Sequence, residues 1–335
     1  MTSELAQSVL DGDRKALAKA ITLVESTRND HNVEAERLIE ELLPSTGGAL
    51  RIGVTGSPGV GKSTFIDAFG SIVVADGHRV AVLAVDPSST SAGGSILGDK
   101  TRMATLVTSE NVFIRPSPSG GSLGGIGRRT RDAILLCEAA GFDIVLVETV
   151  GVGQSETTVA TVTDLFLLLV SPGGGDDLQG IKRGVMELAD LVVVTKADGA
   201  MAELAVQTAA DYQLALHLLR PKSPDNETSV LTCSSTIGSG LEQVWTTLVE
   251  LHRAMSESGR LAALRRSQAI SQLEDEVRGS LFARAAADSR FAKQRAELER
   301  SVADGELPVS AAARQLIELL PWTEPNQPDE PNRPG

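Results

Sequence analysis

Eight residues, Gly56-Ser57-Pro58-Gly59-Val60-Gly61-Lys62-Ser63, fit the pattern GxxxxGK[ST], and their flanks are of the kind that gives the pattern meaning. Leu50 to Thr55 ahead of them is apolar enough for a short buried strand, and Thr64 to Phe69 behind them continues as a helix. A strand, a glycine turn and a helix start aim several amide N–H groups and the positive end of a helix dipole at one point, which makes a phosphate cradle. Gly56 through Thr64 are therefore the expected nucleotide-binding residues. Lys62 is expected to reach the β- and γ-phosphates and Ser63 to offer its hydroxyl to Mg2+.

A cradle of this kind needs a sheet behind it, and the chain supplies one. From Leu50 onward apolar runs alternate with helical patterns: Val80 to Val85, Val112 to Ile114, Ile144 to Val147, Leu165 to Val170, Leu191 to Val194, and Val230 to Leu231. That alternation predicts an α/β fold, a doubly wound, mostly parallel sheet with helices on both faces and ligands beyond the carboxyl ends of the strands. Residues 1–45 read as an N-terminal extension of two helices. Asp13 caps the first, whose Leu17, Ala20, Ile21 and Val24 share a face; the second carries Leu38, Ile39 and Leu42 and stops at Pro44. The nucleotide-binding domain is expected over 46–256 and a helical arm over 257–320, with the tail 321–335 too rich in proline and charge to fold. Within the arm, Leu264, Ile270, Leu273, Val277 and Leu281 fall largely at helical spacing. Such a stripe suits either a cap on its own domain or a dimerisation arm.

A formal net charge of -13 argues against a nucleic-acid partner, because a phosphate polymer is repelled by most of such a surface. Cys137 and Cys233 form no CxxC pair, and His31, His78, His217 and His252 share no metal-ligand spacing. No apolar run is long enough for a membrane span, and Glu4 and Asp11 stand where a signal peptide needs basic and then apolar residues, so a cytoplasmic protein is expected.

A phosphate cradle becomes a switch only if other loops sense the metal and the last phosphate. Asp86 follows the strand Val80 to Val85, and Asp99 lies in the glycine- and serine-rich segment after it; both are candidates for Mg2+, as are Ser63 and Glu148. Glu148-Thr149-Val150-Gly151 has the spacing of the GTPase DxxG element with Glu in place of Asp. There the carboxylate can hold a metal-bound water while the Gly151 amide meets the γ-phosphate. Thr195-Lys196-Ala197-Asp198 resembles NKxD, in which the Asp accepts from guanine N1 and N2 while the Lys stem covers the ring. Adenine has no matching pair of donors, so guanine is the expected base. Thr195 stands where that pattern has Asn. Ser234 and Ser235 occupy the place where a backbone amide commonly meets guanine O6. Arg128, Arg129 and Arg131 near a helix start are unfavourable to its dipole, and either face an acidic partner or form a solvated face.

Taken together, Gly56 to Ser63, Asp86 to Ser89, Gly93 to Met103, Glu148 to Glu156 and Thr195 to Asp198 resemble the methylmalonyl-CoA mutase-associated GTPases of MeaB type, once labelled ArgK or arginine transport kinases. The resemblance covers roughly residues 10–320. It implies a P-loop GTPase with a helical extension and a dimerising arm, hence a homodimer. It also implies partnership with an adenosylcobalamin-dependent methylmalonyl-CoA mutase, with GTP hydrolysis to GDP gating cofactor loading and protection, and a cobalamin adenosyltransferase as a further partner. Ser171 to Lys182 then looks like the family's additional switch loop, with Lys182 a candidate for stabilising developing phosphate charge. The residue after Gly151 is Val152 and not the glutamine that positions water in Ras-like enzymes, which implies slow hydrolysis and activation in trans. Two other readings remain open: a metallochaperone, which would want a Cys/His site, and a small-molecule kinase, which would want ATP.

Overall fold

The computed structural model describes residues 2–26, 28–86, 103–118, 123–149, 155–173, 183–218 and 228–320. The chain forms two compact units, Met1–Gln272 and Leu273–Gly335.

The first unit begins with three helices where the sequence predicts two: α1 (Thr2–Leu10), α2 (Arg14–Val24) and α3 (Asn29–Leu42). The additional helix is short and buries little beyond Ala6 and Val9, so its periodicity is faint in the sequence. Asp13 caps α2, accepting from Lys15 N at 2.7 Å and Ala16 N at 3.4 Å. There follow β1 (Leu50–Gly56), α4 (Lys62–Ala75), β2 (Val80–Asp86), β3 (Val112–Pro118), α5 (Leu123–Ala139), β4 (Ile144–Thr149), α6 (Ser155–Ala160), β5 (Leu165–Val170) and the single turn α7 (Arg183–Met186). Then come β6 (Leu191–Val194), α8 (Ala202–Leu218), β7 (Ser229–Thr232), α9 (Leu241–Glu257) and α10 (Arg260–Ala286).

The seven strands make one sheet in the order β3-β2-β4-β1-β5-β6-β7, and every pairing is parallel. Parallel strands must return through crossovers, so all the carboxyl ends fall on one rim. Both faces are covered at the centre of the sheet, which is why β5 and β6 read as unbroken apolar runs. Alternate side chains serve opposite cores. Ala81, Leu83, Val145, Val147 and Phe166 pack with α1 to α3, α5 and α6. Ile52, Val54, Val82, Leu146, Leu165 and Leu167 pack with Phe65, Phe69 and Trp245 of α4 and α9. The N-terminal helices are thus part of the main core: Leu17, Ile21 and Leu38 are fully buried in it. Pro116 is accommodated because β3 is an edge strand with an unpaired side.

At the opposite rim a buried charge network joins distant segments. Arg51 donates to both carboxylate oxygens of Glu138 at 2.9 and 3.0 Å, and its amide donates to Asp164 Oδ2 at 2.9 Å. Arg265 in α10 donates to both oxygens of Asp164 at 2.8 and 2.7 Å and to the carbonyls of Gly47 and Ala49, each at 2.6 Å. The second unit continues with α11 (Ser289–Ala303) and α12 (Val309–Glu318). Within the arm expected over 257–320, the helix is broken where Asp288 caps α11, accepting from Arg290 N at 2.8 Å and Phe291 N at 3.4 Å. Asp288 directly follows Ala285 to Ala287, whose helix propensity masks the break in the sequence.

Candidate nucleotide site

The phosphate loop runs from the end of β1 into α4. A Cβ on Gly56 would lie 2.6 Å from the carbonyl oxygen of Leu169 in β5, so only glycine lets the strand end this close to its neighbour. Gly61, the residue before α4, has φ +98, a left-handed conformation that glycine takes without steric penalty. With the turn fixed by these two positions, Lys62 folds back over the loop and donates to Gly56 O at 2.7 Å and Ser57 O at 3.4 Å. Its ammonium lies at the mouth of the cradle, where phosphate oxygens can exchange for these carbonyls. Val60 is buried, while Pro58, Gly59 and Thr64 face outward.

The strand ends set the acidic side of the site. Ser63 Oγ donates to Glu148 Oε1 at 3.3 Å, although the two are 85 residues apart, and Glu148 is only 4% exposed. A bond the sequence did not suggest holds this arrangement: Thr149 Oγ1 donates to Thr55 Oγ1 at 2.8 Å, fastening the end of β4 to the end of β1 inside the protein. Both threonines are almost completely buried, at 0% and 1% exposure. In the sequence they read as ordinary β-branched strand residues. The hydroxyl of Ser63 and the carboxylate of Glu148 are oxygen donors of the hardness that fits Mg2+. Asp86 closes β2 one residue beyond the position paired with Thr149, but its side chain, and all of Asp99, Gly151 and Lys182, lie outside the described residues. A further carboxylate escaped the sequence reading. Asp67, one turn along α4 from Ser63, accepts from Leu106 N at 2.8 Å and Thr105 N at 3.1 Å, anchoring the chain as it returns from 87–102.

The loop after β6 is fastened to the phosphate loop. Thr195 Oγ1 donates to Val60 O at 2.8 Å and lies 3.2 Å from Val170 O. Lys196 has φ +56, the only described non-glycine residue in the left-handed region, and this turns its side chain across the loop so that Nζ donates to Gly59 O at 2.7 Å. Asp198 is held by the hydroxyl of Ser234 from the loop after β7. The two serines therefore differ: the Ser234 amide is engaged with Ser239 O at 2.9 Å, and its hydroxyl orients the carboxylate, whereas among the described residues no hydrogen bond engages the Ser235 amide in this way. Between them the loops place a phosphate cradle, a metal-type oxygen pair and an oriented carboxylate on one rim. Cys233, one residue before Ser234, is a buried thiol whose pKa burial pushes up to about 12, so it has no part as a nucleophile. Arg131 donates to Asp132 Oδ1 at 3.0 Å and to Gln272 Oε1 at 3.3 Å.

The sequence profile described as "Methylmalonyl Co-A mutase-associated GTPase MeaB" matches residues 17–290. The chain belongs to that family. As a MeaB-family protein it is a P-loop GTPase, and its seven parallel strands are the sheet of that fold. Relatives agree along nearly the whole length. "GTPase ArgK" of Escherichia coli is 46% identical over 95% of this chain and 96% of its own. "Methylmalonic aciduria type A homolog, mitochondrial" of Mus musculus is 44% identical over 94% of this chain and 79% of its own. A solved structure described as "Crystal structure of LAO/AO transport system kinase" superposes with a TM-score of 0.76 at 38% identity, covering 95% of this chain and 96% of that one. Among the described residues no helix is long and apolar enough to cross a membrane.

Proposed function

We propose that this MeaB-family GTPase gates the loading and protection of the cofactor in an adenosylcobalamin-dependent methylmalonyl-CoA mutase, with GTP hydrolysis as the timing step. The observation that carries the reading is the meeting of Ser63 with Glu148, the first residue of the run Glu148-Thr149-Val150-Gly151 whose spacing matches a γ-phosphate sensor. Lys62 and the amides of Gly59 to Thr64 would hold the phosphates, and Thr195, Lys196 and Asp198 the guanine, with the Ser235 amide available to O6. Ser63 and Glu148 would hold Mg2+, together with Asp86 and Asp99. Held by these residues, the ion would supply positive charge to offset that of the phosphates.

Val152 offers no side chain that can orient a water, so turnover by the chain alone is expected to be slow. Docking of the mutase would bring Lys182 and the loop Ser171 to Lys182 to the γ-phosphate. That loop starts from a fixed point, since Gly173 N donates to Thr208 Oγ1 at 3.0 Å. A homodimer is supported by the arm, where Leu273, Val277, Leu281 and Phe282 leave 63%, 48%, 55% and 54% of their surfaces exposed on one helix. A cobalamin adenosyltransferase is a further proposed partner, and a cytoplasmic site of action completes the reading.

The test is phosphate release from GTP by the purified chain with and without the mutase loaded with adenosylcobalamin. Acceleration by the mutase, and slower inactivation of the mutase in the presence of the GTPase and a non-hydrolysable GTP analogue, are the expected results. Equal rates with and without the mutase, or no protection, would overturn the proposal.

A further inference from the structure

A threonine hydroxyl carries a single proton, and at Thr195 that proton is already committed. Its oxygen lies 2.8 Å from Val60 O and 3.2 Å from Val170 O. Both neighbours are carbonyls that can only accept, so whichever of them the hydroxyl faces, no proton is left for a third acceptor. The residue is 3% exposed, which denies it a water relay. Guanine presents two acceptors, N7 and O6, on one edge, and donors at N1 and N2 on another. An asparagine at this position would carry two N–H protons, enough to hold Val60 O with one and N7 with the other.

We infer that this GTPase reads guanine by its N1 and N2 donors and leaves N7 unread. Thr195 is then a positioning residue that fastens the base-reading loop to the phosphate loop, and selectivity rests on the Ser234-oriented carboxylate of Asp198. The inference rests on Thr195 to Asp198 being the base site. Nucleotides that lack N7 should bind this protein as well as natural ones do.

The experiment is titration of the full chain with GDP and with 7-deaza-GDP, in Mg2+, for the wild type and for Thr195→Asn and Thr195→Ser. Wild type and Thr195→Ser should bind the two nucleotides within twofold of each other. Thr195→Asn should acquire a preference for GDP of roughly 2- to 12-fold, the worth of one neutral hydrogen bond. Wild-type binding of 7-deaza-GDP more than twofold weaker than that of GDP would overturn the inference and leave the base site intact. Binding of neither nucleotide would overturn the base site and the inference with it. A ratio that Thr195→Asn leaves unmoved would also overturn the inference, because position 195 would then not face N7.

Discussion

Asp198→Asn is the substitution that most directly separates guanine recognition from mere nucleotide binding. Asp198 is half-buried, and the Ser234 hydroxyl fixes its rotation, so its other oxygen and the plane of the group keep one orientation, the one the proposed guanine contact would use. A carboxylate accepting from N1–H and N2–H makes two charge-assisted bonds of about 1.5–3 kcal/mol each. An amide keeps one as a neutral bond of about 1 kcal/mol and sets its own N–H group against the other donor. For a half-exposed site the lower part of that range applies, a loss of about 2–3 kcal/mol or roughly 30- to 150-fold in Kd. Xanthine carries a carbonyl where guanine carries the N2 amine, so the same amide should restore the lost bond to XDP. Titration with GDP and XDP, with the urea midpoint as a control on folding, should show the preference for GDP inverted. GDP binding retained within threefold, or no gain for XDP, would refute the assignment of Thr195 to Asp198 as the base-reading element.

Three further outcomes follow from the same geometry. Asp164→Ala strands the guanidinium of Arg265, whose side chain is only 20% exposed, and should lower unfolding free energy by about 3–5 kcal/mol in urea; Asp30→Ala, which breaks an ion pair 67% and 63% exposed, should leave the midpoint unchanged, and equal effects would contradict the network's role. At about pH 8 a thiol with a pKa near 12 is ionised in only ~0.01% of molecules, so Cys233 should react with a disulfide reagent only on unfolding; rapid labelling of the native protein would refute its burial. Burial holds the His252 imidazole below its ordinary value, with Asp164 opposing the shift and Arg265 adding to it. The unfolded chain therefore takes up a proton first, and the stability present above about pH 6.5 is lost as pH falls through the folded value. His252→Gln should flatten the decline in urea midpoint between about pH 7.5 and about pH 5.5, and an unaltered decline would exclude the histidine as its source.

Much of this architecture is legible in the sequence because its signals are local. Strands buried on both faces are largely apolar, so β5 and β6 announce themselves, and the phosphate loop is written in eight consecutive residues. Contacts that join distant segments leave no such mark. Nothing near Arg265 or Asp164 suggests that they meet across 101 residues, and nothing distinguishes Thr55 and Thr149 from the strand residues around them. The role of Thr195 is intermediate: its departure from the NKxD pattern is visible, but its attachment to Val60 O depends on how closely the two loops approach. The pair of serines after β7 shows the same limit, since only the closure of the loop onto Ser239 decides which amide is engaged.

The central claim is that a guanine nucleotide is held by the main-chain amides after β1 and the ammonium of Lys62. Calorimetric titration of GDP into the purified chain, in Mg2+, measures it directly. The account predicts one site per chain for GDP, none detectable for ADP at the same concentrations, and loss of the signal in Lys62→Ala with the fold retained. No heat of binding with the wild type, equal binding of ADP, or undiminished binding by Lys62→Ala would contradict it.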